Sequence, residues 1–125
     1  MKTEKFNFEE LNVYQKSLLF VDKIYEQTRK FPRGEAYGLT SQFRRAATSI
    51  ALNIAEGAGS SNPEFRRYLQ ISLNSVKECV VCVEIAKRQT YFQLNEYEDY
   101  RQDLAELSKM LTSLMKYLNN NQKKN

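Results

Sequence analysis

Histidine occurs nowhere in the 125 residues, and its absence removes more chemistry than any other feature of the sequence. Without an imidazole there is no Ser-His or Cys-His nucleophilic pair and no Glu-x-x-His ligand set of the di-iron helical bundles. Chain breakers are scarce as well, with four glycines and two prolines. That scarcity, together with the lack of long β-branched runs, predicts long helices and few turns in place of many short strands. Cysteine occurs only at Cys79 and Cys82, which excludes a disulfide framework. Their spacing is that of a redox motif, but there is no βαβ context and no second pair to complete a zinc site, so they read as buried thiols near one helix face. Gly57-Ala58-Gly59 follows a helical pattern instead of joining a strand to a helix, so it is not a phosphate-cradling loop. The first twenty residues carry Glu4, Glu9 and Glu10 and no unbroken apolar stretch, which predicts neither a signal peptide nor a membrane anchor and a cytoplasmic location. No metal and no cofactor is expected, and the chain is not expected to be an enzyme.

What remains is an ordinary globular balance, 42% hydrophobic and 27% charged residues, in a length that suits one domain over residues 1–125. The net charge of +4 is unevenly spread: residues 29–67 hold seven Arg or Lys against three acids, and residues 107–125 hold four Lys and no acid. An excess of this size suits both a solvated surface and an anionic partner.

Four helices are predicted, at about 8–30, 41–57, 63–89 and 96–118, followed by a polar tail over 119–125. In helix one Leu11, Tyr14, Leu18, Val21, Tyr25 and Thr28 alternate steps of three and four and read as the core stripe. Asn7 with Glu10 reads as its N-terminal cap, and Phe31-Pro32 with Gly34 as its stop. Helix three opens at Asn62-Pro63 and carries Phe65, Leu69, Ser72, Val76, Cys79 or Val80, Val83 and Ala86 inward. The run from Val80 to Val83 is broader than one stripe needs, which suggests burial on more than one side. Helix four repeats the pattern from Tyr97 through Tyr100, Leu104, Leu107, Leu111 and Leu114 to Leu118, with Asn95 and Glu98 as its cap pair and a frayed end.

Helix two, capped at Thr40, has three faces. Leu39, Phe43, Ala46, Ala47, Ile50 and Ile54 form the core stripe, while Gln42, Arg45, Ser49, Asn53 and Glu56 line one edge. Ser41, Thr48, Ala51, Leu52 and Ala55 make a third face that is small or apolar. A helix in an isolated bundle needs one apolar stripe, so this outer face is a candidate oligomer interface. Alanine's helix propensity is the competing explanation, and it does not account for Leu52.

Tyr37-Gly38-Leu39, Gln42, Arg44-Arg45-Ala46-Ala47, Ser49-Ile50 and Asn53 to Gly57 resemble the bacterial four-helix-bundle family named after 23S rRNA intervening sequences. The similarity extends to Leu11, Val13, Phe31-Pro32, Glu64-Phe65, Tyr68-Leu69, Ser75 and Glu78. The resemblance implies an all-α, antiparallel up-and-down four-helix bundle that assembles into a closed ring, typically a homopentamer, in a family whose biochemical role is not established. Retroelement accessory proteins, whose basic surface engages RNA and enzyme, are a more distant likeness. Two positions depart from the family: Asn74 stands where Gly often precedes the helix-three Ser, and Ser60 where many members carry Arg.

Two residue sets follow. Arg29, Lys30, Arg33, Arg44, Arg45, Arg66, Arg67, Lys123 and Lys124 are candidate nucleic-acid contacts, because cations repeated around a ring would form a belt for an RNA backbone. The alternative leaves these arginines paired with neighbouring acids and makes the protein an oligomeric scaffold or adaptor for a protein partner. Gln42, Arg45, Ser49, Asn53, Glu56, Ser75 and Glu78 form a candidate polar network, with Arg45 expected to neutralise half-buried Glu56 and Glu78.

Overall fold

The computed structural model describes residues 3–122, and these contain four α helices and no strand. They are α1 (Asn12–Thr28), α2 (Leu39–Gly57), α3 (Asn62–Arg88) and α4 (Leu94–Gln122). Short 3-10 turns, Asn7–Glu10 and Arg33–Glu35, precede α1 and α2. Each helix packs against the next and α1 returns to α4, so α1 and α3 are diagonal. Neighbours run antiparallel: Gln42 meets Glu78, Ile50 meets Ser72 and Gly57 meets Tyr68 along α2 and α3.

The core stripes expected for α2, α3 and α4 are buried almost throughout, including Phe43, Ile50, Ile54, Leu69, Val83, Leu104, Leu107 and Leu111. The α1 stripe is different. Its buried residues are Val13, Ser17, Phe20, Ile24, Gln27 and Thr28, whereas Leu18 and Tyr25 are each 37% exposed. Two series with helical spacing interleave along α1, and the inward one is disguised by polar members. Ser17 is satisfied by the Tyr14 carbonyl at 2.6 Å, and Gln27 accepts the Tyr100 hydroxyl at 2.8 Å, which lets both enter an apolar core. The helix-three run does not bury both sides either, since Val81 and Ile85 point outward at 57% and 41% exposure.

The caps also differ from expectation, because satisfying a helix's first N–H groups depends on a carboxylate's reach as well as on residue type. Asn7 and Glu10 lie in the 3-10 turn ahead of α1, where Glu9 accepts the Phe6 N–H at 2.8 Å. At α2 the Glu35 carboxylate accepts the Leu39 N–H at 3.1 Å, displacing Thr40 from that role. Ser61, not Asn62, caps α3 by accepting the Glu64 N–H at 3.3 Å, and Asn62 instead donates to the Leu118 carbonyl at 3.3 Å. Glu96 accepts the Gln93 N–H at 2.8 Å where α4 starts, leaving Asn95 and Glu98 within the helix. Beyond Leu118, α4 continues through Asn119 to Gln122.

Two backbone positions set how closely the helices meet. Gly57 sits where a Cβ would fall 2.7 Å from the Tyr68 Cβ and 2.9 Å from the Phe65 ring, so only glycine admits this approach of α2 to α3. At the end of α3 the Thr90 N–H donates to Lys87 at 2.9 Å and the Tyr91 N–H to Ala86 at 2.9 Å, a Schellman arrangement. It requires left-handed backbone at Thr90, φ 61°, a conformation that costs a β-branched residue about 1–2 kcal/mol. Opposite shifts in thermal melting are expected: Gly57→Ala destabilises by about 1–3 kcal/mol through overpacking, and Thr90→Gly stabilises by up to about 1 kcal/mol. Melting followed by circular dichroism checks both, and unchanged midpoints would contradict this reading of the two sites.

Candidate functional site

The polar residues on the facing edges of α2 and α3 form a chain of contacts, though not the one their types suggest. Ser75 Oγ donates to Ser49 Oγ at 2.8 Å, Asn53 Nδ2 donates to the Ser49 carbonyl at 2.8 Å and to its hydroxyl at 3.0 Å, and Gln42 Nε2 donates to Glu78 at 3.3 Å. Gln42, Arg45, Ser49 and Glu78 border an open groove of about 350 Å³. Among the described residues Arg45 makes no ion pair, and neither does Glu56 or Glu78. The expected neutralisation by Arg45 is therefore not present. Both carboxylates are exposed and keep their hydration, so no desolvation cost demands a partner.

The cationic residues divide between the two ends of the bundle. Arg29, Lys30 and Arg33 are exposed where α1 ends and the chain enters α2, and none forms an ion pair among the described residues. Arg44 belongs to the joint between α1 and α2: its guanidinium lies 4.6 Å from the Tyr25 ring centre, and its Nε donates to Thr28 Oγ1 at 2.8 Å. Arg45 is exposed beside it. Arg66 and Arg67 lie at the opposite end, near the start of α3, where Arg67 bonds Glu64 at 2.6 Å and covers the Tyr68 ring at 4.6 Å. Lys123 and Lys124 fall outside the described residues. The structure thus leaves Arg29, Lys30, Arg33 and Arg45 exposed without an ion pair and commits Arg44 and Arg67 to internal contacts.

The third face of α2 is only partly a surface. Leu52 is 62% exposed, and Ser41, Thr48 and Ala55 are half-buried, but Ala51 is buried within the protomer and cannot line an interface. Beside this face lie residues that the α1 pattern assigns to the core. Tyr25, Arg44, Arg45, Thr48 and Leu52 border a groove of about 330 Å³ between α1 and α2, and exposed Leu18 lies on α1 two turns before Tyr25. Sequence spacing contained this signal as a second apolar series on α1. It was hidden because Ser17 and Gln27 weaken the series that is actually buried.

Neither cysteine is poised for chemistry. Both are free and buried; burial pushes the Cys79 thiol far up and, with the Glu78 charge as a smaller cause, raises Cys82 to about 11. Among the described residues no three Cys, Asp or Glu side chains gather to hold a metal ion, and no helix is long and apolar enough to cross a membrane.

A family model described as 23S rRNA-intervening sequence protein matches residues 9–113. The chain belongs to that family. The chain is also similar to a crystal structure of a protein with unknown function, from the S23 ribosomal protein family, from Bacteroides thetaiotaomicron VPI-5482. That structure matches with a TM-score of 0.77 and 29% sequence identity over 83% of this chain and 98% of the other. No curated protein matches the chain. Neither comparison indicates a catalytic family.

With thiols this deeply protonated, iodoacetamide at pH 8 is expected to alkylate the folded protein more than about a hundredfold more slowly than the unfolded chain, as the shift of Cys82 to about 11 requires. Mass spectrometry of quenched samples reads the rate, and rapid labelling of native protein would show a reactive cysteine.

Proposed function

We propose that this chain is a non-catalytic bundle that assembles with copies of itself into a closed, homopentameric ring and binds RNA through cations displayed on that ring. The observation that carries the reading is the apolar face shared by α1 and α2. Leu18, Tyr25 and Leu52 are exposed there, and half-buried Thr48 and Ala55 are small enough to let another helix approach. Exposed large side chains scattered singly need no explanation, but Tyr25 and Leu52 border one groove, which favours a partner. A ring also needs a second, different face, because head-to-tail contacts join unlike surfaces. Val81 and Ile85 on α3, the helix diagonal to α1, are exposed apolar residues that suit that role.

RNA as the ligand is supported by the exposed arginines and lysine that form no ion pair among the described residues. Repetition around a ring multiplies each cation, and phosphate contacts add counterion release to affinity, so retention must fall steeply with salt.

Light scattering tests the assembly. Wild-type protein is expected near five times the 14.7 kDa chain mass. Leu52→Arg is expected to give monomers with unchanged helicity, since a substitution at so exposed a site shifts monomer stability by no more than about 0.5 kcal/mol. A variant with the wild-type mass would remove the α1–α2 face from the interface. A monomeric wild type would overturn the assembly itself, and an oligomer that retains no RNA at low salt would favour the scaffold reading.

A further inference from the structure

At the end of the bundle where α1 passes into α2, one side chain has no contact that explains it. Tyr37 is 101% exposed, the largest exposure among the large hydrophobic side chains of the described residues. The segment that carries it is nevertheless firmly held. Phe31 is buried, with its ring centre 5.1 Å from that of Tyr91 and 6.5 Å from that of Phe92. A sequence of backbone bonds follows, from Glu35 N–H to Pro32 at 2.9 Å, Ala36 N–H to Arg33 at 3.0 Å and Gly38 N–H to Glu35 at 2.9 Å. The only acid between residues 29 and 38, Glu35, is occupied by the Tyr91 hydroxyl at 2.6 Å and by the Leu39 N–H. Arg29, Lys30 and Arg33 share the segment and are exposed. Lys30 borders a groove that also holds Glu26, Glu96 and Asp99, so the anion-facing role falls mainly to Arg29 and Arg33.

We infer that Tyr37, with Arg29 and Arg33 of the same exposed segment, forms a contact site for single-stranded RNA, the tyrosine stacking on an unpaired base and the arginines meeting neighbouring phosphates. This rests on the RNA reading above and assigns it to one end of the bundle. A flat π-face beside cations is the arrangement that binds single strands with little sequence preference. A protein partner would need a packed apolar centre with a polar rim, and this segment exposes one aromatic ring and no apolar cluster around it. A duplex keeps its bases stacked and offers the ring nothing to cover. Because Phe31 and Glu35 fix the segment in advance, little ordering is required when the strand arrives.

The test is fluorescence anisotropy of the full-length protein with a labelled oligouridylate of about 20 nucleotides at low salt, alongside a duplex of equal length. Tyr37→Ala is expected to weaken single-strand binding by about fivefold to a hundredfold, while Tyr37→Phe keeps it. The double variant Arg29→Gln, Arg33→Gln is expected to reduce the slope of log affinity against log salt by about 0.7 per lost phosphate contact. Light scattering must give the same mass for every variant. Wild-type binding that collapses with salt but is untouched by Tyr37→Ala would overturn this site and leave the RNA reading standing. No binding by the wild type at low salt would overturn both. A changed mass for Tyr37→Ala would make the tyrosine a subunit contact, and capture of polyglutamate with the same dependence on Tyr37 would make the ligand an acidic chain; either result overturns the inference.

Discussion

The approach of α2 to α3 is the constraint on which the other packing depends. Gly57 against Tyr68 and Phe65 brings the helices together at one end, and the Ser72 hydroxyl donates to the Ile50 carbonyl at 2.8 Å midway. With Ser49 and Ser75 also in contact, small side chains hold the pair close, where larger ones would push it apart. The seam between α1 and α4 is built from other material. Lys23 meets exposed Asp99 at 2.9 Å and half-buried Asp103 at 2.7 Å, and Lys16 meets exposed Glu106 at 3.2 Å. Pairs of that kind typically contribute about 0–1 kcal/mol each, and the buried Tyr100–Gln27 bond adds to them. Helices α1 and α4 nevertheless approach each other over a shorter stretch than α2 and α3, so the α2–α3 packing is the stronger of the two seams.

That asymmetry has a consequence for the surface. Helix α2 is flanked by α1 and α3, so the strip it presents outward is narrow and is bordered by α1's second apolar series. Arg44 closes the joint from within by stacking on Tyr25 and bonding Thr28. What remains outside is Leu52, with Thr48 and Tyr25 beside it, in a groove that intramolecular packing leaves unfilled. The same chain therefore has a firm interior and a partly apolar edge along α1 and α2.

Much of this was legible from residue spacing alone. Three of the four core stripes follow directly from steps of three and four, because Phe43, Leu69 and Leu107 recur with apolar partners at those steps. Helix one misled because spacing identifies an apolar face without saying which of two faces is inward. Ser17 and Gln27 are buried only because Tyr14 and Tyr100 satisfy them, a long-range fact for Gln27 that no local pattern contains. Caps failed for a related reason: Glu35 and Glu96 reach helix starts from positions that residue preference does not single out.

The candidate surfaces divide in the same way. Leu52 was identifiable because propensity could not explain it, whereas the burial of Ala51 depends on where α1 lies. Arg45 looked like a counter-ion until Glu56 and Glu78 proved exposed, and Tyr37 carried no signal in its spacing because its exposure is set by Phe31 anchoring the connection. Hydroxyl-radical footprinting of the assembled wild-type protein tests assembly through the α1–α2 face most directly, with exposed Leu19 and Tyr117 as references. Tyr25 and Leu52 are expected to be oxidised much more slowly than their exposure in the single chain implies. Oxidation of both at the rates of the reference residues would contradict assembly through this face.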